Sequence, residues 1–304
     1  MMNIALVGVG AVGAVYARLL HDNPDVQLYC MMDAVRKTRA VEEGIYVNGE
    51  RVPLTFATPK EVDVPIDVII FTVKNPQMQA AVTFVEPLVG EDTALLSLLN
   101  GIDSEAVIAA QYGESRVLYG LANGIDALKK ENKISYTHPG ILYFGERDNR
   151  ALSPRVERLA HVFSESNIPH AVPENMEYQL WHKFMVNAGV NPVTAIMRAT
   201  HGALRDSMDL LHVTKSAMRE IVLVAQAAGI PLAVEEIDTF FTDVWTQVGA
   251  DGKTSMLQDI EAGRTTENEY FGKRAAELGK KYNVATPVND MLYHLVRAME
   301  HPTD

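Results

Sequence analysis

"IALVGVGAVGAVYARLL", residues 4–20, decides the fold. Its opening apolar run has the length and composition of a buried strand, and the spacing of apolar residues beyond Ala11 is helical. Between them stand Gly8, Gly10 and Gly13 in the spacing G-x-G-x-x-G. The glycines alone are a weak signal; a strand before them and a helix after them give the motif its meaning. Gly8 permits the tight turn, Gly10 lets a pyrophosphate approach the backbone, and Gly13 lets helix and strand pack closely. The free N–H groups at the helix start then face the phosphates. Gly8, Val9, Gly10, Ala11, Val12 and Gly13 are therefore the candidate cradle for a dinucleotide.

Working outward, short apolar runs at 3–7, 26–31, 67–73, 94–99, 117–121, 133–137 and 141–145 read as strands. Helical segments fall around 12–22, 34–43, 76–87 and 103–111. Strands alternating with helices predict an α/β domain, a Rossmann-type doubly wound parallel sheet, and the closely spaced strands over 117–145 are expected to hairpin. After "IPHAVPEN" (168–175) the pattern changes, and six stretches between 176 and 299 carry helical periodicity. The boundary is expected near residue 172, giving a dinucleotide-binding domain over 1–172 and an all-helical domain over 173–304. A cleft between two such domains is the expected ligand site.

The 304 residues suffice for two cores, and 47% hydrophobic with 22% charged residues is ordinary for a globular chain. A net charge of −12 without a long basic run argues against nucleic acid or an anionic membrane as partner. The N-terminus lacks a basic leader, and no segment reaches the ~18 apolar residues of a membrane span. Cys30, the single cysteine, cannot form an internal disulfide and lies in an expected buried strand. These features point to the cytoplasm. No spacing of His, Cys, Asp or Glu suggests a metal.

The choice of dinucleotide is open at this level. The second strand runs into "CMMDAVRKTRA". Asp33 there suits a ribose diol and so NADH, whereas Arg36, Lys37 and Arg39 suit the 2′-phosphate of NADPH; Asp33 is equally able to cap the next helix. Lys74, in "FTVKNPQ", and Asn100, in "SLLNG", end two further strands on the side where ligands bind in open α/β sheets.

In the helical half, "LWHKFMVNAGVNPVTAI" (180–196) is apolar nearly all round, yet carries Lys183, Asn187 and Asn191 at intervals of four. Each step of four drifts only about 40° around a helix, so the three make one polar stripe. Left unpaired in a buried helix, each group would cost roughly 1–3 kcal/mol. Either protein groups or a polar ligand must satisfy the stripe. Pro192 removes a backbone donor in mid-helix, so a kink is expected beside Asn191.

The glycine motif, the "VK" at 73–74, the "NG" at 100–101, the row Lys183, Asn187, Asn191 and "TSMLQDIEAGRTTENEY" (254–270) together resemble the ketopantoate reductase family over about residues 3–295. The resemblance implies NADPH-dependent reduction of 2-dehydropantoate to (R)-pantoate, with Lys183 as general acid. It assigns Asn187, Asn191 and Ser255 to the substrate, Glu267 to the neighbourhood of nicotinamide and lysine, and Asn100 and Lys74 to cofactor and substrate. The segment 263–266 is expected to break the helix so that Ser255 and Glu267 can share a site, with Thr266 capping the next helix.

Two departures matter. Met31, Met32 and Asp33 stand where NADPH-dependent members commonly carry a basic residue, and His201 stands where many carry asparagine. They motivate an alternative, an NADH-linked dehydrogenase for another branched or aromatic 2-keto acid. His182 and His138 are expected to be structural. A dinucleotide-sensing protein without catalysis is the remaining class, and the intact set of polar residues argues against it. A small 2-keto acid is the expected partner, and the helical half could support a homodimer.

Overall fold

The structure, a computed structural model, describes residues 1–301. The chain divides into two compact units, residues 1–177 and the remainder from Tyr178.

The first unit contains twelve strands: β1 (Met2–Val7), β2 (Val26–Met31), β3 (Ile45–Val47), β4 (Glu50–Val52), β5 (Phe56–Ala57), β6 (Val68–Phe71), β7 (Ala94–Ser97), β8 (Val117–Ile125), β9 (Leu128–Lys130), β10 (Lys133–Ser135), β11 (Pro139–Gly145) and β12 (His170–Ala171). Its helices are α1 (Ala11–His21), α2 (Ala34–Glu43), α3 (Met78–Phe84), α4 (Ser104–Tyr112) and α5 (Pro154–Glu165). Eight strands form the main sheet in the order β12-β11-β8-β7-β6-β1-β2-β5. β1, β6 and β7 are buried along most of their length, which is why they read as unbroken apolar runs: a parallel sheet is covered on both faces. Phe144 and Phe163 meet edge to face, 5.0 Å between centroids, in the core of this unit.

Pairing is parallel from β5 through β8, but β8 and β11 run antiparallel, so the expected hairpin adds a reversed strand to the parallel sheet. The run expected as a strand over 133–137 is not part of that sheet. Only its Ile134 is buried, and a strand with one apolar side chain cannot fill a core on two faces. It is β10, shorter than expected, and it joins β3, β4 and β9 in a separate four-stranded sheet in which Ile134 pairs with Val47. The division between the units also falls later than residue 172. Asn149 ties the following segment back, donating its backbone N–H to Glu174 O (2.8 Å) and its side-chain amide to Pro173 O (2.8 Å), while Met176 N–H reaches Arg147 O at 3.1 Å.

The second unit holds all but the first residues of α6 (Met176–Met197), followed by α7 (His201–Asp206), α8 (Met208–Ala227), α9 (Glu235–Thr239), α10 (Ser255–Glu261), α11 (Arg274–Tyr282) and α12 (Pro287–Glu300). The periodic stretch 203–228 is two helices because Ser207 caps α8, accepting from Leu210 N–H. α9 continues as a π-type turn, Phe240–Val244, and a 3₁₀ turn, Trp245–Gln247; a second π-type turn, Glu269–Lys273, leads into α11. α6 runs through Pro192 as one helix. It approaches α8 closely at Gly189, where a Cβ would come within 2.3 Å of Met218 Cγ. Glu220 on α8 accepts from Val288 N–H (2.8 Å) and Asn289 N–H (3.0 Å), anchoring the start of α12.

Candidate active site

Register builds the candidate dinucleotide site of the first unit. Val7 pairs with Met31 on one side and Phe71 on the other, so Gly8, Asp33 and Lys74 follow at one edge of the sheet. This is the carboxyl edge, where chain order reverses between β1 and β6 and ligands of such sheets bind. A groove of about 1090 Å³ opens there, lined among others by Gly8, Val9, Gly10, Asp33 and Lys74.

The glycines fit a dinucleotide for separate reasons. Gly8 has φ +103°, and a Cβ on it would lie 2.8 Å from Val73 N. A Cβ on Gly13 would lie 2.0 Å from Gly8 O, so this glycine packs α1 on the turn rather than lining the groove. Gly10 would meet nothing within 4 Å: its α-carbon faces open space. It is the N-cap of α1, where no side chain claims the first-turn N–H groups of Ala11, Val12 and Gly13. Open space before free N–H donors is what a pyrophosphate needs.

The end of β2 is divided. Asp33 caps α2 through Arg36 N–H at 2.9 Å, and its other oxygen lies 3.4 Å from Arg36 Nε. Lys37 pairs with Glu61 instead of lining the groove; Arg36 and Arg39 do line it. Cys30 is fully buried, and burial pushes its thiol up to about 12. Lys74 precedes the turn Asn75–Gln77, and Asn75 donates its amide to Asn100 O at 2.8 Å, tying together the loops after β6 and β7. Asn100 itself does not line the groove.

The second unit carries the polar row. Lys183, Asn187 and Asn191 lie on α6, Lys183 and Asn187 partly buried and Asn191 5% exposed. Desolvation pushes the Lys183 ammonium down to about 8, and the Glu267 carboxylate pulls the other way. Asn191 Nδ2 donates to Asn187 Oδ1 at 3.4 Å, and among the described residues neither amide bonds anything else. The stripe is thus no network between helices at its two amides; among the described residues their remaining donors and acceptors have no protein partner. Ser255 is the exposed first residue of α10. The chain turns at Gly263 (φ +62°), and Thr266 then accepts from Asn268 N–H at 3.1 Å, beside Glu267.

Models of the ketopantoate reductase PanE/ApbA family match residues 4–149, and its C-terminal model matches residues 175–300. The chain belongs to the ketopantoate reductase family. Its relatives include the 2-dehydropantoate 2-reductase of Aquifex aeolicus, 27% identical over 99% of this chain and 97% of that one. That of Pyrococcus horikoshii is 28% identical over 98% of both. Among solved structures, D-mandelate dehydrogenase with NADH and anilino(oxo)acetate superposes with a TM-score of 0.88 at 25% identity, over 98% of both chains. Family membership makes the chain an NAD(P)H-dependent oxidoreductase acting on a ketone/alcohol pair.

Sequence reasoning missed three contacts in this ketopantoate reductase family member. The Thr194 and Thr254 hydroxyls lie 2.7 Å apart, tying α6 to the turn before Ser255. Glu236 on α9 holds α6 through the Tyr178 hydroxyl and lies 3.9 Å from His182 Nε2. The i, i+4 spacing of Tyr178 and His182 on a second stripe of α6 was the available signal. His201 opens α7 with its ring 4.8 Å from that of Trp245, edge to face, and its Nδ1 is buried without a partner.

Proposed function

We propose that this enzyme reduces 2-dehydropantoate to (R)-pantoate with NADPH, a step of pantothenate biosynthesis. The observation that carries the reading is the row on α6: a desolvated ammonium in line with two amides that bond only each other.

A bound NADPH would supply the hydride for the carbonyl carbon. The first unit would bind the dinucleotide with Gly8, Val9 and Gly10, with the N–H groups of Ala11, Val12 and Gly13, and with Lys74 and Asn100. Lys183 holds its proton toward the carbonyl oxygen, stabilises the charge that develops there and then transfers the proton, so that ketone, hydride and one proton become the alcohol. The proton is restored from solvent. Asn187 and Asn191 can donate to the substrate carboxylate and accept from its hydroxyl, and Ser255 and Asn100 add to that grip. Glu267 raises the lysine's proton affinity against the larger effect of desolvation and would sit beside the nicotinamide.

A second reading is NADH-linked reduction of an aromatic 2-keto acid. The His201–Trp245 contact favours it, as does the likeness to D-mandelate dehydrogenase, a structure solved with NADH. Oxidation of NADPH and NADH with ketopantoate and with phenyl-substituted keto acids tests both. NADPH-selective turnover of ketopantoate supports the first; turnover of aromatic acids only, with NADH, replaces it with the second. On either reading the substrate is a small diffusible acid and the enzyme is placed in the cytoplasm. A homodimer is proposed for it as well, and light scattering of the full chain checks that. Among the described residues no helix is long and apolar enough to cross a membrane.

A further inference from the structure

The four-stranded sheet contributes nothing to hydride or proton transfer, yet one of its side chains reaches the glycine turn. Lys129, on β9, donates its Nζ to Val9 O at 2.8 Å, across 120 residues of chain. Protein packed around that ammonium lowers its pKa, and the nearby positive charge of Arg39 lowers it further. Both residues line the dinucleotide groove. Their elements are tied together: Asn132, in the turn between β9 and β10, donates to Glu43 O (3.0 Å) and Gly44 O (3.2 Å) at the end of α2, the helix that bears Arg39.

Two cations held close enough to repel, neither paired with an acid, form an incomplete site. Glu43 and Glu131 also line the groove, but among the described residues neither Lys129 nor Arg39 makes an ion pair. Asp33, the residue that would exclude a 2′-phosphate, caps α2 and lies against Arg36. The end of β2 thus lacks a cation, while one arrives from another sheet and one from the next helix turn.

We propose that Lys129 and Arg39 together read the 2′-phosphate of NADPH, in place of a basic residue at the end of β2. The assignment rests on the reading of the groove as an NADPH site. On it, the small sheet serves to carry a cation across to the glycine turn.

Isothermal titration of the full chain with NADPH and with NADH tests it, since the two differ only by that phosphate. Lys129→Gln keeps an N–H for Val9 O and removes the charge; Arg39→Gln removes the other. Each is expected to weaken NADPH binding roughly ten- to hundredfold, the strength of a charge-assisted bond to phosphate, and to leave NADH binding unchanged. Unchanged NADH binding also shows that the variants fold. Equal loss of both ligands would assign Lys129 to the glycine turn and overturn the proposal, as would no loss, or a wild-type preference for NADH. If the wild type binds neither dinucleotide, the reading of the groove itself fails.

Discussion

The Thr194 hydroxyl lies 2.7 Å from that of Thr254, a contact that links the helix of the polar row to the turn that presents Ser255. The Thr194 hydroxyl also lies 3.0 Å from the carbonyls of both Val190 and Asn191, the second belonging to a substrate-binding candidate. Thr194→Val keeps the shape and removes the hydroxyl. It is expected to destabilise by about 1–3 kcal/mol, the cost of leaving a buried partner unsatisfied, and to raise KM for the keto acid more than it lowers kcat. Thermal melts and steady-state kinetics check both; an unchanged KM would leave the contact purely structural.

On the proposed mechanism Lys183 sets the pH dependence. With Lys183 as the proton donor, kcat/KM should be level below its pKa of about 8 and fall as pH rises past it; oxidation of the alcohol should show the reverse. Lys183→Ala should cut turnover by about 10²–10⁴-fold while NADPH binding is retained. Since Glu267 raises the lysine's pKa, Glu267→Gln should move the fall in the reduction profile to lower pH. An unmoved profile would mean that the carboxylate does not act on the lysine.

The same ammonium costs stability. Its pKa is ordinarily 10.5 and about 8 in the fold, so the unfolded chain binds the proton more tightly. The cost is therefore full below pH 8 and is relieved as pH rises toward 10.5. Lys183→Met should accordingly raise stability at pH 7 by about 1–3 kcal/mol while abolishing catalysis. A denaturant titration at pH 7 reads the gain, and a loss would show that the Glu267 attraction outweighs desolvation.

Two glycines of one motif should fail differently. Gly13→Ala drives a Cβ to 2.0 Å from Gly8 O and should destabilise the fold, whereas Gly10→Ala points into open space. The Gly10 variant should melt within about 1 kcal/mol of wild type, the scale of a changed N-cap, yet bind dinucleotide far more weakly. Melting curves beside titrations with NADPH separate the two outcomes.

Much of this was legible in residues 4–20 and 180–196. The strand, turn and helix around Gly8, and the single face shared by Lys183, Asn187 and Asn191, follow from interactions within a few residues: backbone sterics at glycine, the 100° step of a helix, the length of an apolar run. Such physics is already present in the order of amino acids. Where the sequence left Asp33 open, only the folded chain showed it capping α2.

What the sequence by itself determined, then, is the type of each unit and which residues stand in the glycine turn and in the polar row of α6. The tertiary structure decided which groups meet across long stretches of chain: Lys129 on Val9, Thr194 on Thr254, β10 on β3, and residues 173–176 bound back to the first unit. No local preference specifies those pairings. They exist because burying the cores brings distant elements together, and every polar group caught there must then find a partner.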